Sequence, residues 1–271
     1  MTFYPAVDDD VTTDAPYRRR VGHEIELSGS ATFRDKLYDL GVSSPPVASS
    51  YRGFHNPGCQ CDEADDFPIH PLYDSSSSGG EYTIGGKRGV LYGSDPYYEA
   101  IDLLCGLVNE NNSGVYVDLQ VGSHIHVSNV GVDGTDTHNL MHDNYERVQD
   151  DILLLARCEF DQWRSNGHVQ SRLPRATDTR WDNPSRRSGG TVISDSRRGR
   201  PTYEFRVWNA TVTPQTLHTN AAVSIALVET AIAGIRAESP SLLDLVGDHV
   251  PGACAEDVER RLARFSVADA A

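Results

Sequence analysis

Between Val21 and Leu27 apolar and polar side chains alternate. Read as a strand with a period of two, the stretch sends Val21, Ile25 and Leu27 to one face and Glu24 and Glu26 to the other. The same period governs the longest alternating run, Val115 to Ser128. There Val115, Val117, Leu119, Val121, Ile125 and Val127 form a packed back, with Asp118, Gln120, His124, His126 and Ser128 in front. Two shorter runs repeat the pattern. Residues 80–84 set Glu81 and Thr83 against Tyr82 and Ile84, and 203–208 set Glu204, Arg206 and Trp208 against Tyr203, Phe205 and Val207.

Elsewhere the apolar spacing is helical. Phe33, Leu37 and Leu40 predict a helix ended by Gly41. Asp95 as N-cap and Pro96 in the first turn open a second helix, with Ile101, Leu104, Cys105 and Val108 as its stripe. A long helix is predicted from about Asp136 to Asn166 on Tyr145, Val148, Ile152 and Leu155. Another starts at Thr213-Pro214 with Ala221, Ile225, Val228, Ile232 and Ile235, and a last one spans roughly 255–265. Residues 1–16 are acidic, without pattern and expected to be flexible, leaving 17–271 as one domain with long loops over 42–80 and 165–200. Strands and helices without regular βαβ alternation point to an α+β fold with a largely antiparallel sheet.

Composition narrows the function classes. A net charge of −15 over 271 residues argues against nucleic acid as a partner. No apolar run approaches a membrane span, and the acidic start is unlike a signal peptide, so a cytoplasmic setting without membrane association is expected. Lys36 and Lys87 are the only lysines among 24 basic residues, a balance that resembles proteins of extreme halophiles. Five cysteines make a disulfide framework an unsuitable reading. Cys105 and Cys158 read as small hydrophobes, whereas His55, Cys59, Cys61 and His70 form an H-x3-C-x-C-x8-H run, a candidate Zn²⁺ clip tighter than the usual cysteine spacing.

The polar fronts of the four strands carry the chemistry. Placed in one sheet, Glu24, Glu26, Glu81 and Glu204 with His124 would converge on a surface that needs divalent cations to be tolerable. From Arg164 to Arg200 there are nine arginines against three aspartates, a basic stretch in an acidic chain and a candidate site for phosphate oxygens. Cation-binding acids beside arginines suit phosphoryl chemistry. Neither G-x4-G-K-[ST] nor G-x-G-x-x-G occurs, and Gly85 to Gly89 reads as a bare turn. Each motif alone has a plain structural reading: a satisfied histidine pair, a cross-strand ion pair, a solubilising loop.

Four of these motifs, in order, resemble the amidoligase family of the glutamine synthetase and glutamate–cysteine ligase superfamily. They are Gly22-His-Glu24-Ile-Glu26, Asp74-Ser75-Ser76 with Glu81, Gly122-Ser-His124-Ile-His126-Val-Ser128, and Glu204-Phe-Arg206-Val-Trp-Asn209-Ala-Thr211. The resemblance implies a glutamine synthetase-like catalytic fold, a curved antiparallel sheet with helices outside. It also implies ATP-dependent amide formation between a carboxylate and an amine through an acyl phosphate, the substrates being amino acids, peptides or protein side chains. By the same resemblance Glu24, Glu26, Glu81, His124 and Glu204 would carry two or three Mg²⁺ or Mn²⁺ ions. Arg197, Arg198, Arg206, His126 and Trp208 would contact the nucleotide, with Arg206, Arg200 and His126 acting in catalysis. Two departures stand out: Asp74 is the nearest candidate for a further carboxylate near Glu81, and Thr202 replaces an arginine, leaving that role to Arg200 or to no residue. The competing readings are a metal-dependent hydrolase using the same acids and histidines, and a non-catalytic module that keeps the fold.

Overall fold

The alternating segment Arg20–Gly29 is strand β1, the centre of an eight-stranded sheet. The computed structural model describes residues 19–43, 68–72, 78–85, 89–118, 121–128, 135–156, 192–194 and 202–268. Along the chain β1 is followed by α1 (Thr32–Asp39), β2 (Ile69–Leu72), β3 (Gly80–Ile84), β4 (Val90–Leu91) and α2 (Asp95–Asn109). Next come β5 (Val115–Tyr116), β6 (Gly122–Ser128), α3 (Thr135–Ala156), β7 (Val192–Ser194) and β8 (Thr202–Asn209). The helices α4 (Pro214–Ile232), α5 (Leu242–Val246), a 3-10 turn at Gly247–His249 and α6 (Gly252–Ala268) close the described chain. Strand order is β2-β3-β1-β6-β8-β7, with β4 and β5 pairing the two ends of β1, and these ladders are antiparallel.

Burial explains why the sheet has a helical side. Val21, Ile25 and Leu27 of β1, Ile125 and Val127 of β6, and Tyr203 and Phe205 of β8 form one apolar face. Against that face α2 meets β3, β4 and β5, α4 meets β6 and α3 meets β8. Helix α4 is buried almost all round because it lies between the sheet and α3, α5 and α6, which suits its run of alanine, valine and leucine. Arg261 of α6 ties these helices together: it bonds the Leu155 carbonyl and Asn220 Oδ1 and pairs with Asp257, both charges being buried. Near the end of β1, Gly29 has φ +117° and passes so close to Gly114 that a Cβ would lie 2.3 Å from its carbonyl oxygen, so no other residue fits the crossing.

Several sequence expectations change. The run Val115–Ser128 is two strands, β5 and β6, with the Val121 N–H bonding the Asp118 carbonyl between them, a break that hydropathy alternation does not register. Strands β2 and β7 lie inside regions expected to be loops, because both are short and carry polar or proline residues. The N-cap of α2 is Ser94, with Asp95 in the first turn. Beyond Ala156 the predicted extension of α3 to Asn166 lies outside the described residues, as does the acidic segment 1–16. Most consequential is a bulge in β8. Ser123 pairs with Trp208 and Ile125 with Phe205, so Arg206 and Val207 together oppose His124. The extra residue inverts the alternation, and Trp208 turns to the apolar side, fully buried, donating its Nε1–H to Ser224 Oγ of α4 at 3.2 Å.

Two imidazoles, His23 fully buried and His142 half-buried, make stability depend on pH. Burial, then the neighbouring His218 and His126, lowers the His23 pKa to about 3. Burial, then His138, lowers that of His142 to about 3. Between about 3 and the ordinary 6.5 the unfolded chain binds protons that the folded chain does not. This contribution is therefore complete above pH 6.5 and is lost as pH falls toward 3. Urea titrations should show the unfolding midpoint dropping through that window, and a smaller drop in His142→Gln. An equal drop in the variant would contradict the assignment.

Candidate functional site

The other face of the sheet gathers the polar residues by register alone. Glu24 pairs with Thr83 of β3 on one side and His124 of β6 on the other. One row along, Gly22 of β1 meets His126, which meets Glu204 of β8. In the opposite direction Glu26 faces Glu81. Residues directly opposite on neighbouring strands share a face, so Glu24, Glu26, Glu81, His124, His126 and Glu204 belong to one surface. His70 of β2 joins it through Thr83.

Side chains close this surface around Glu24. His126 Nε2 lies 2.7 Å from Glu24 Oε1, and His124 Nδ1 lies 2.9 Å from Glu24 Oε2. The His124 ring also approaches Glu204 Oε1 (3.7 Å from Nδ1) and Glu26 Oε1 (3.9 Å from Nε2). Glu26 is anchored in turn, its Oε2 accepting the Gly122 N–H at 2.8 Å. Arg206 pairs with Glu204 and keeps its guanidinium part-exposed, on the same side as the acids. Glu24, Glu26, Glu81, His124 and Glu204 are all buried.

Burial sets the electrostatics. It raises the pKa of the Glu24 carboxyl, an effect His126 offsets and Glu204 reinforces. For His126 burial acts downward, but the adjoining Glu24 and the Glu204 charge outweigh it, and the imidazole pKa is raised. Both shifts act in one direction, favouring a retained proton on the Glu24–His126 pair. Arg206 is likewise raised, the carboxylates of Glu204 and Glu24 overcoming its desolvation. The His126 imidazole and the Arg206 guanidinium, both favoured in their charged forms, thus offset part of the buried negative charge.

Glu24, His126 and Glu204 each offer a ligand atom within 4.8 Å of the others, a trio able to hold one metal ion. Its nitrogen donor is the histidine that the sequence motif had assigned to nucleotide phosphates. Trp208, expected beside Arg206 on this face, is a correction: the β8 bulge carries it into the core, away from any nucleotide bound in front. Arg197, Arg198 and Arg200 lie outside the described residues, as do Asp74, Lys87, His55, Cys59 and Cys61. His70, the remaining member of the candidate Zn²⁺ clip, is buried in β2. Its place in the Glu24 row was hidden because Pro71 breaks the strand signal.

Among the described residues no helix is long and apolar enough to cross a membrane. No protein-family model matches the sequence, and no curated protein matches it. Among solved structures the chain is similar to the crystal structure of the complex between prokaryotic ubiquitin-like protein Pup and its ligase PafA, at 11% identity and a TM-score of 0.47. The match covers 93% of this chain and 58% of that one, so this chain spans little more than half of its length.

Proposed function

We propose that the protein is an ATP-dependent carboxylate–amine ligase of the amidoligase kind. The observation that carries the proposal is the convergence on Glu24 of His126, His124 and Glu204, from strands whose motifs resemble that family. The donor set fits a divalent cation: two carboxylate oxygens and an imidazole nitrogen within 4.8 Å of one another. Mg²⁺ or Mn²⁺ held there supplies charge neutralisation for the phosphates of ATP. Glu24 and Glu204 bind it, and Glu26 and Glu81, facing each other on adjacent strands, extend the acidic surface for a further ion. Glu204 holds the Arg206 guanidinium at the edge of this surface, where it would meet the transferred phosphoryl group; by resemblance Arg197, Arg198 and Arg200 would serve the same end. The reaction transfers the γ-phosphoryl group to a substrate carboxylate, and an amine then displaces phosphate to leave an amide. It asks for no protein nucleophile.

Incubation with ATP, Mg²⁺ or Mn²⁺ and mixtures of carboxylates and amines tests this. Amine-stimulated ADP release is the expected result; cation-dependent cleavage without ATP would make the protein a hydrolase, and neither would leave a binding module. In Arg206→Ala, cation binding should persist while turnover falls by about 100-fold or more. Full activity in that variant would remove Arg206 from the phosphate site.

A further inference from the structure

On the helical side of the sheet, α3 carries His138 and His142, four residues apart and so neighbours on one helix face. Both rings are half-buried. Their centroids lie 5.0 Å apart, with the planes inclined by 54°. Given metal–nitrogen bonds of about 2.0–2.1 Å, two imidazoles sharing one tetrahedral ion have centroids about 5 Å apart. His138 Nδ1 meets the Tyr203 hydroxyl of β8 at 2.9 Å. Burial pushes that phenol up to about 12, so it stays protonated at neutral pH. Burial also lowers the pKa of both histidines, the His138 charge adding to the effect on His142, which keeps them in the neutral form that ligates metals.

We propose that His138 and His142 form a metal site of their own, for a nitrogen-preferring cation of the Zn²⁺ or Ni²⁺ class, with Tyr203 as a positioning residue behind His138. In this arrangement His138 Nδ1–H donates to the Tyr203 oxygen, which fixes the ring and assigns Nε2 to the ion. Histidines at i and i+4 of a helix are a recurrent metal-binding pair, and water completes the shell. Two imidazoles without a carboxylate discriminate against Mg²⁺, which favours oxygen. The site is therefore chemically distinct from the acidic surface on the opposite face, and it does not depend on the ligase reading. Both ligands come from the opening turns of α3, so the ion would clip the part of the helix that is costly to nucleate, while Tyr203 ties it to β8.

Ni²⁺ added to the full chain serves as the probe, read by calorimetry and nuclear magnetic resonance in excess Mg²⁺, which competes for the acidic surface but not for an imidazole pair. Wild type is expected to bind one equivalent of Ni²⁺ that Glu24→Gln and Cys59→Ser retain. His138→Gln and His142→Gln should each lose that equivalent, and the double variant should lose no more than either, because one ion needs both rings. At one equivalent the paramagnetic ion should broaden the ring resonances of His138, His142 and Tyr203 in wild type, a readout that requires no variant to fold. Tyr203→Phe should keep the site but weaken it by about tenfold. Absence of the equivalent in wild type, its survival in either histidine variant, or broadening confined to other residues overturns the site. Unchanged affinity in Tyr203→Phe overturns the positioning role.

Discussion

Glu24→Gln is expected to lower divalent-cation affinity by about 100-fold or more and to abolish cation-dependent ATP turnover, while the sheet survives. Both Glu24 oxygens are engaged by imidazoles, and one of them belongs to the trio that can hold an ion. An amide keeps the size of the side chain but removes the charge and one of two equivalent acceptors. It also removes a buried carboxylate whose ionised form is penalised by desolvation, so the cation-free fold has little to lose. Calorimetry with Mn²⁺, alongside circular dichroism, separates the two effects. Wild-type affinity in the variant would mean that the acids of this surface are structural.

The second large effect falls on stability. Trp208→Ala should cost about 3–5 kcal/mol, because it empties a fully buried indole site between β8 and α4. Trp208→Phe should cost less, leaving chiefly the Ser224 hydroxyl without its donor. The role implied by the family resemblance gives a different outcome: a front-facing Trp208 would contact nucleotide, and its loss would weaken ATP binding while sparing the fold. Urea unfolding and nucleotide titration of the same variant decide between them. A stable Trp208→Ala protein with poor ATP affinity would show that the bulge is misplaced.

That contrast marks what the chain reveals before it is folded. Glu24, Glu26, Glu81, His124, His126 and Glu204 were legible because strict alternation with apolar neighbours fixes a strand's faces, and antiparallel pairing aligns those faces. Arg206 and Trp208 are two residues apart, and alternation puts them on one face; a single inserted residue separates them, and nothing in local hydropathy announces it. Strand β2 was invisible for a related reason, since four residues including Pro71 give too little pattern to outweigh the loop-like surroundings. Which nitrogen of His124 and His126 meets which Glu24 oxygen is set by side-chain rotamers, and spacing cannot specify that.

Strand β1 precedes all of its partners in the chain, and this has a consequence for how the protein is made. Glu24 meets His124 and His126 across separations of 100 and 102 residues, and Glu204 comes later still. Closing such large loops is slow compared with helix formation, and the entropy must be spent before the ladder returns anything. A nascent chain on the ribosome can thus pair one edge of β1 with β3 first, but the other edge stays open until β6 emerges, and the acidic surface is complete only after β8. Truncated translation products ending before Thr202 would expose sticky strand edges and lack the Glu204 carboxylate, which makes them natural clients for chaperones and proteases.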